Sequence, residues 1–153
     1  MPPREAFPKT EAAALKAIEL DDSLAEAHIS LAMVRAAAWE WDEAMKEYQR
    51  AIELTPNSAE AHFFLSDLML SRRRSDEWKV HIERALELDP LNFFFQCFYG
   101  WHLLYLRRYD EAIAELRKAL RTEPNLPAAH LTAHCVYSPN GWQSAGHLWS
   151  LGR

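Results

Sequence analysis

The sequence predicts an all-α fold in which antiparallel helix pairs stack side by side, and three observations favour it. Pro56, Pro90 and Pro124 stand 34 residues apart, a period that is typical of helix-pair repeat arrays. The 153 residues include only four glycines, while the good helix formers Ala, Leu and Glu are frequent. Apolar residues recur at intervals of three and four along most of the chain, as in helices with one buried face.

The segments that precede the three prolines repeat as well. They read Ala-Ile-Glu-Leu-Thr-Pro, Ala-Leu-Glu-Leu-Asp-Pro and Ala-Leu-Arg-Thr-Glu-Pro. A fourth copy that lacks the proline, Ala-Ile-Glu-Leu-Asp-Asp, occupies residues 17–22. When each proline is placed at position 32 of a repeat, three full repeats cover residues 25–58, 59–92 and 93–126.

Each repeat is predicted to contain two helices joined by a short turn. Asp42 and Asp110 suit the starts of second helices, and Ser58 and Asn92 suit the starts of first helices, because their side chains can accept hydrogen bonds from free backbone amides. The proline at position 32 ends one helix and orients the next. The predicted helices cover residues 9–20, 25–37, 41–54, 59–71, 75–88, 93–106, 109–122 and 127–137.

Small residues are predicted where the two helices of a pair touch, at positions 8 and 20 of the repeat. The residues at these two positions are Ala32 and Ala44, Ser66 and Trp78, and Gly100 and Ala112. With bulky residues at positions 7 and 24 and alanine at position 27, this register resembles the tetratricopeptide repeat family. The resemblance implies a right-handed α-solenoid over residues 9–137. Trp78 departs from the pattern, and we expect its ring to splay the middle helix pair or to lie at a flank.

The register predicts half a repeat at each end of the solenoid. Residues 9–24 match a second helix without its first, and residues 127–137 match a first helix without its second. We expect residues 1–8 to be disordered and residues 138–153 to form a tail outside the repeats. Because a solenoid needs polar end faces to stay monomeric, one hypothesis is head-to-tail association of the two half-repeats. The other is that the chain is a fragment of a longer array with frayed ends.

The resemblance also implies a concave groove lined by the first helices, at positions 2, 5, 9, 12 and 13. These positions hold no Lys, Arg or Asn, so the chain lacks the carboxylate clamp by which family members hold chaperone tails. Their apolar and aromatic side chains predict a scaffold that binds an apolar or amphipathic segment of a protein or peptide partner. The predicted peptide-binding residues are Ile29, Met33, Phe63, Asp67, Leu70, Phe94, Cys97, Trp101, Leu104, Tyr105 and Leu131.

Other occupants of this groove stay open. The tail, through Trp142 and Trp149, or a second copy of the chain could cover the aromatic side chains, or the rings could pack on each other. The alternative function is therefore a self-assembling structural module, a homo-oligomer formed head to tail or with the tail in the groove. Similar arrays occur in larger bacterial signalling or regulatory proteins, and the offset register fits a piece of one.

Five arginines are predicted to form a basic rim at the turns between paired helices. They occupy positions 14–16 of two consecutive repeats and are Arg72, Arg73, Arg74, Arg107 and Arg108. Such a rim suits an acidic partner. The other interpretation is that these cations complement the free carbonyls and the dipole at helix C-termini.

Histidines recur at one position of the repeat, and two lie one helical turn apart. His28, His62 and His130 share position 4, where the family favours a bulky ring, so a packing role is expected. His130 and His134 face the same way, which makes them a weak candidate for binding zinc or copper. No carboxylate stands at a suitable spacing as a third ligand, so a remote alternative function is metal binding, and no metal site is predicted.

Composition argues against the remaining classes of function. The net charge of −5 and the lack of a long basic stripe argue against a nucleic-acid partner, and no apolar stretch reaches the ~20 residues that span a membrane. Cys97 and Cys135 do not make a disulfide framework, so a cytoplasmic location is expected. No phosphate loop, nucleophile elbow or metalloprotease motif is present, so we expect no enzyme activity and no cofactor.

Overall fold

A computed structural model describes residues 3–72 and 75–122, and these ranges contain seven α-helices and no strand. The predicted all-α fold of antiparallel helix pairs is thereby confirmed. The eighth predicted helix, at residues 127–137, and the predicted tail lie outside the described residues. The helices are α1 (Pro3–Leu20), α2 (Ala25–Ala37), α3 (Trp41–Leu54), α4 (Ala59–Ser71), α5 (Ser75–Leu88), α6 (Phe93–Tyr105) and α7 (Tyr109–Thr122).

The helix bounds agree closely with those predicted from the 34-residue register. Helices α2, α3, α4, α5 and α7 begin and end at the predicted residues, and α6 ends one residue earlier than predicted. Helix α1 begins at Pro3, so residues 3–8 are helical where the sequence predicts disorder. Arg, Glu and Ala at residues 4–6 are good helix formers, and Pro8 has a φ compatible with the helix although it donates no backbone hydrogen bond.

The N-terminal compact unit spans Met1–Pro90 and contains α1 to α5. Within it α2 pairs with α3 and α4 pairs with α5, while α1 packs on α2 and α3 packs on α4. Helix α3 therefore lies between α2 of its own pair and α4 of the next pair. This is the nearest-neighbour packing of a helical repeat array.

The C-terminal compact unit begins at Leu91, and its described part is the pair α6 and α7. Gly100 of α6 is buried against α7, and a Cβ atom at Gly100 would lie 2.6 Å from Cγ of Leu116. No real Cβ contact is that short, so the absence of a side chain at Gly100 permits the close approach of the two helices. The predicted small residue at position 8 therefore has a direct steric cause.

Buried residues recur at the predicted core positions of the second helices. Positions 20, 24 and 27 are buried in α3, α5 and α7 alike. Trp78 is also fully buried, and α4 and α5 pack together as extensively as α2 and α3. The expectation that Trp78 splays the pair or lies at a flank is therefore wrong. Position 8 of the same repeat holds Ser66, which is fully buried as well.

Two of the predicted N-caps bond as expected. The Ser58 hydroxyl accepts a hydrogen bond from the amide of Ala61 at 3.2 Å, and the Asn92 side chain accepts one from the amide of Phe95 at 3.3 Å. Each satisfies one of the amides that the first turn of a helix leaves unbonded. The starts of α4 and α6 are thus fixed by short-range chemistry that the sequence carries.

The turns after α2 and α6 share one backbone arrangement. Trp39 and Arg107, both at position 15, have positive φ values of 67° and 62°. The amide of Arg107 donates to the carbonyl of Leu104, and the amide of Arg108 donates to the carbonyl of Leu103, both at 2.9 Å. This is the Schellman arrangement, which normally places glycine at the residue with positive φ.

Candidate functional site

The first helix of the C-terminal unit presents aromatic side chains on one side. Phe94, Trp101 and Tyr105 of α6 are 45%, 41% and 61% exposed, while Phe95 and Leu103 are buried. Residues spaced by seven and four lie above one another on a helix. Helix α6 therefore carries an exposed aromatic face in addition to the apolar face that it buries.

A fourth ring links this face into one surface. Phe98 is half-buried, and its ring centroid lies 4.5 Å from that of Phe94 and 5.9 Å from that of Trp101. We call Phe94, Phe98, Trp101 and Tyr105 the aromatic stripe. Contacts among the rings of Phe94, Phe98 and Trp101 restrict their rotamers, which lowers the entropy that a ligand must remove on binding.

The remaining predicted peptide-binding residues divide by their position in the repeat. Position 5 is buried in all three first helices, as Ile29, Phe63 and Cys97, and Leu70 is buried as well. Met33 is exposed, whereas Asp67 and Leu104 are half-buried. Leu131 lies outside the described residues. The open face of the first helices is therefore formed by positions 2, 9 and 13, and position 5 belongs to the core.

The open faces of α2 and α4 differ chemically from the aromatic stripe. Position 2 holds Glu26 in α2 and Glu60 in α4, and both are exposed, while Asp67 occupies position 9 of α4. Burial, followed by the charges of Asp67 and Glu60, raises the pKa of Tyr48. The carboxylates of α4 thus act on a buried neighbour, and the open face of the N-terminal unit is acidic.

Two of the three described arginines of the predicted basic rim are paired with carboxylates. Arg72 donates to Asp42 at 2.6 Å, and Arg108 donates to both oxygens of Glu111 at 2.7 and 2.6 Å. Arg107 lies in the turn after α6 and is exposed. Arg73 and Arg74 lie outside the described residues. Ion pairing of Arg72 and Arg108 lowers the positive charge available to an acidic partner.

The two described histidines at position 4, His28 and His62, join the two helices of their pair. Nδ1 of His28 lies 2.7 Å from Oε2 of Glu47, and Nε2 lies 3.1 Å from the carbonyl oxygen of Asp22. His62 likewise contacts a side chain 19 residues later and a carbonyl six residues earlier. The pairing of positions 4 and 23 was not predicted from the sequence, because it depends on side-chain rotamers across the helix pair.

The other candidates for chemistry add little to the site. Cys97 is buried in a cluster with Leu116 and Ala119, and burial raises the pKa of its thiol, which disfavours the reactive thiolate. Cys135, His130 and His134 lie outside the described residues. Within residues 3–72 and 75–122, no three His, Cys, Asp or Glu side chains are grouped to hold a metal ion. None of the helices in those ranges combines the length and apolar character needed to cross a membrane.

Stacked antiparallel helix pairs define the class of α-helical repeat proteins. Family models agree with this class: a TPR repeat model matches residues 40–69, and a tetratricopeptide repeat model matches residues 96–126. The chain therefore contains tetratricopeptide repeats, and these repeats support a scaffold for protein–protein interaction. No curated relative matches the chain in sequence.

Solved structures support the fold. MamA is similar with a TM-score of 0.76 at 18% identity, over 92% of this chain and 82% of that chain. YrrB, a TPR protein with an unusual peptide-binding site, gives 0.67 at 20% identity over 87% of this chain and 69% of that chain. The Arabidopsis OM64 TPR domain gives 0.68 at 22% identity over 73% and 93%. At these identities the likeness is one of fold.

Proposed function

We propose that this scaffold binds an apolar or amphipathic segment of a partner protein through the aromatic stripe of α6. The observation that carries the proposal is the exposure of Phe94, Trp101 and Tyr105 along one side of a single helix. Exposed apolar patches of this kind usually mark interaction sites. The similarity to YrrB, whose structure has a peptide-binding site, supports a peptide ligand.

The length of the stripe suits a short secondary-structure element of the partner. From Phe94 to Tyr105 the helix rises about 16 Å, which equals about three turns of a partner helix. Aromatic residues that are partly exposed in the free protein contribute strongly to binding when a ligand desolvates them. Trp101, near the middle of the stripe, is therefore expected to be the residue on which affinity depends most.

The test measures the affinity of a peptide for two tryptophan variants. A helical peptide selected against the full chain by phage display is titrated into wild type, Trp101→Ala and Trp39→Ala. We expect Trp101→Ala to weaken binding by about tenfold or more. Trp39→Ala is the control, because Trp39 is 75% exposed in the N-terminal unit. We expect this variant to bind the peptide with the affinity of wild type. Equal affinities for the two variants would contradict the proposal.

A second candidate function is self-assembly, and the distribution of charge favours it. Residues 1–90 hold eleven Lys and Arg against eighteen Asp and Glu, whereas residues 91–153 hold six against four. Formal charges of −7 and +2 make the two parts of the chain complementary, which favours head-to-tail contact between copies. Sedimentation velocity would show oligomers at low salt that dissociate at high salt. A monomer at every concentration at low salt would exclude this candidate.

A location in the cytoplasm and a role within a larger bacterial protein stay predictions. Neither is needed for binding at the aromatic stripe.

A further inference from the structure

Two histidines meet between the helices of the second pair. Nδ1 of His62 in α4 lies 2.9 Å from Nδ1 of His81 in α5. The ring centroids are 5.1 Å apart. This separation is close to the largest possible for two imidazole rings with this distance between their Nδ1 atoms, which is reached when both atoms lie on the line between the centroids. The two nitrogens therefore point at each other, as in a hydrogen bond, and leave no space between them for a metal ion.

The contact fixes which ring nitrogens carry hydrogens when both rings are neutral. Nε2 of His62 lies 3.2 Å from the carbonyl oxygen of Pro56; a carbonyl only accepts, so Nε2 carries the hydrogen. Nδ1 of the neutral His62 ring is then an acceptor, and Nδ1–H of His81 donates to it. A further proton on Nδ1 of His62 would place two N–H groups against each other and break the bond.

The surroundings oppose a positive charge on either ring. Burial lowers the pKa of His62; the hydrogen bond to the Pro56 carbonyl raises it, and the charge of Arg84 lowers it further. Burial also lowers the pKa of His81; the charge of His62 lowers it further, and Glu77 raises it. Among the described residues, the charged groups that act on the pair are Arg84 and Glu77 of α5, and the Pro56 carbonyl lies in the turn before α4.

The same two positions of the first repeat hold a different pair of side chains. Glu47 stands where the second repeat has His81, and His28 faces the acceptors Glu47 and Asp22 with its two ring nitrogens. Both bonds form together when the His28 ring carries both hydrogens. A proton on Nδ1 of His62 therefore breaks the contact between α4 and α5, whereas in the contact between α2 and α3 each ring nitrogen of His28 faces an oxygen acceptor.

We propose that the His62–His81 contact is a pH-sensitive latch that holds α5 on α4 near neutral pH and opens in mildly acidic solution. Opening would loosen the packing of α5, whose Trp78 is fully buried in the pair. No group outside the second helix pair and the turn before it is needed.

The direction of the effect follows from proton linkage. Folding lowers the pKa of both rings, so the unfolded chain binds more protons in mildly acidic solution. The contribution of the His62–His81 contact to the stability of the fold is then complete above the ordinary histidine pKa of about 6.5, and it is lost as the pH falls below that value. For each proton that the unfolded chain binds and the folded chain does not, the equilibrium constant for unfolding rises by up to about tenfold for each unit by which the pH falls.

Exchange of the residue at position 23 between the first and second repeats tests the latch. Urea unfolding of the full chain is measured at about pH 7.5 and about pH 5.5, on either side of the histidine titration. His81→Glu gives the second repeat the His–Glu pair of the first, and we expect it to lose less stability than wild type on acidification. Glu47→His gives the first repeat a His–His pair, and we expect it to lose more.

Histidine titration by NMR supplies a second readout that does not depend on the stability of the variants. In wild type the signals of His62 and His81 should titrate below the ordinary histidine range and in coupled steps. In His81→Glu the titration of His62 should move to higher pH. The proposal is overturned if wild type and His81→Glu lose stability equally, if Glu47→His adds no loss, or if His62 and His81 titrate independently at the ordinary pKa.

Discussion

At the scale of single residues, two turns use side chains where the backbone favours glycine. Trp39 and Arg107 occupy the left-handed region, and each is held there by hydrogen bonds that close the end of a first helix. The Cβ atom of an L residue clashes with the following carbonyl in this region, which costs roughly 1 kcal/mol. These turns therefore contain a small, local and removable strain.

Arg107→Gly should stabilise the chain by about 0.5–1 kcal/mol, because glycine adopts the positive φ without a clash and keeps the backbone hydrogen bonds. Urea unfolding followed by circular dichroism measures the gain. Arg117→Gly is the matched control: Arg117 is exposed in the interior of α7, where glycine costs about 1 kcal/mol. A loss of stability in both variants would show that the turn stores no strain.

Gly100→Ala should destabilise the C-terminal unit by about 1–3 kcal/mol, since the new methyl group would overlap Leu116 and force the pair apart. Leu116→Ala in the same chain removes the obstructing atoms. The double variant should then be more stable than the sum of the two single losses implies, and a double-mutant cycle measures this coupling. Strict additivity would mean that Gly100 and Leu116 do not limit the approach of α6 to α7.

At the scale of helices, the sequence predicts where a helix begins and ends better than which of its sides stays exposed. The caps Ser58 and Asn92 and the proline at position 32 are local signals, so the start of α4 and the start of α6 could be located to the residue. Which side of a first helix stays open depends on how its neighbours pack. Position 5 therefore proved to be buried, and Phe63 and Cys97 belong to the core although the groove was predicted to include them.

The candidate site was predictable in part for the same reason. Phe94, Trp101 and Tyr105 lie at positions that the register alone places on one side of α6, and their exposure agrees with that expectation. The contact between His62 and His81 joins residues 19 apart on two helices. It depends on side-chain rotamers across the pair, which the spacing of residues in a sequence does not fix.

Trp78→Ala should destabilise the chain by about 3–5 kcal/mol, because it removes a fully buried indole and leaves a cavity between α4 and α5. Trp39→Ala removes the same side chain from an exposed site and should cost about 0.5 kcal/mol or less. Urea unfolding of the two variants provides the comparison. Similar losses would place Trp78 outside the core of the pair, against the structure.

At the scale of the whole molecule, the helix pair is the unit that repeats and the unit that cooperates. Each described first helix makes its most extensive contacts with the second helix of its own pair. In repeat arrays stability is approximately the sum of the repeats and of the interfaces between neighbours. A boundary between two pairs should therefore tolerate a cut that a boundary within a pair does not.

Two truncated chains test this expectation. A chain ending at Pro90 keeps the compact N-terminal unit Met1–Pro90 and both of its complete pairs, so it should stay helical and unfold cooperatively in urea. A chain ending at Arg72 loses α5 and exposes the face of α4 that α5 covers. This face is rich in apolar side chains, and their contact with water destabilises the shorter chain. It should unfold at lower urea concentration with a broader transition, or aggregate. Equal urea midpoints for the two chains would show that α5 does not stabilise α4, and the helix pair would then not be the cooperative unit of this molecule.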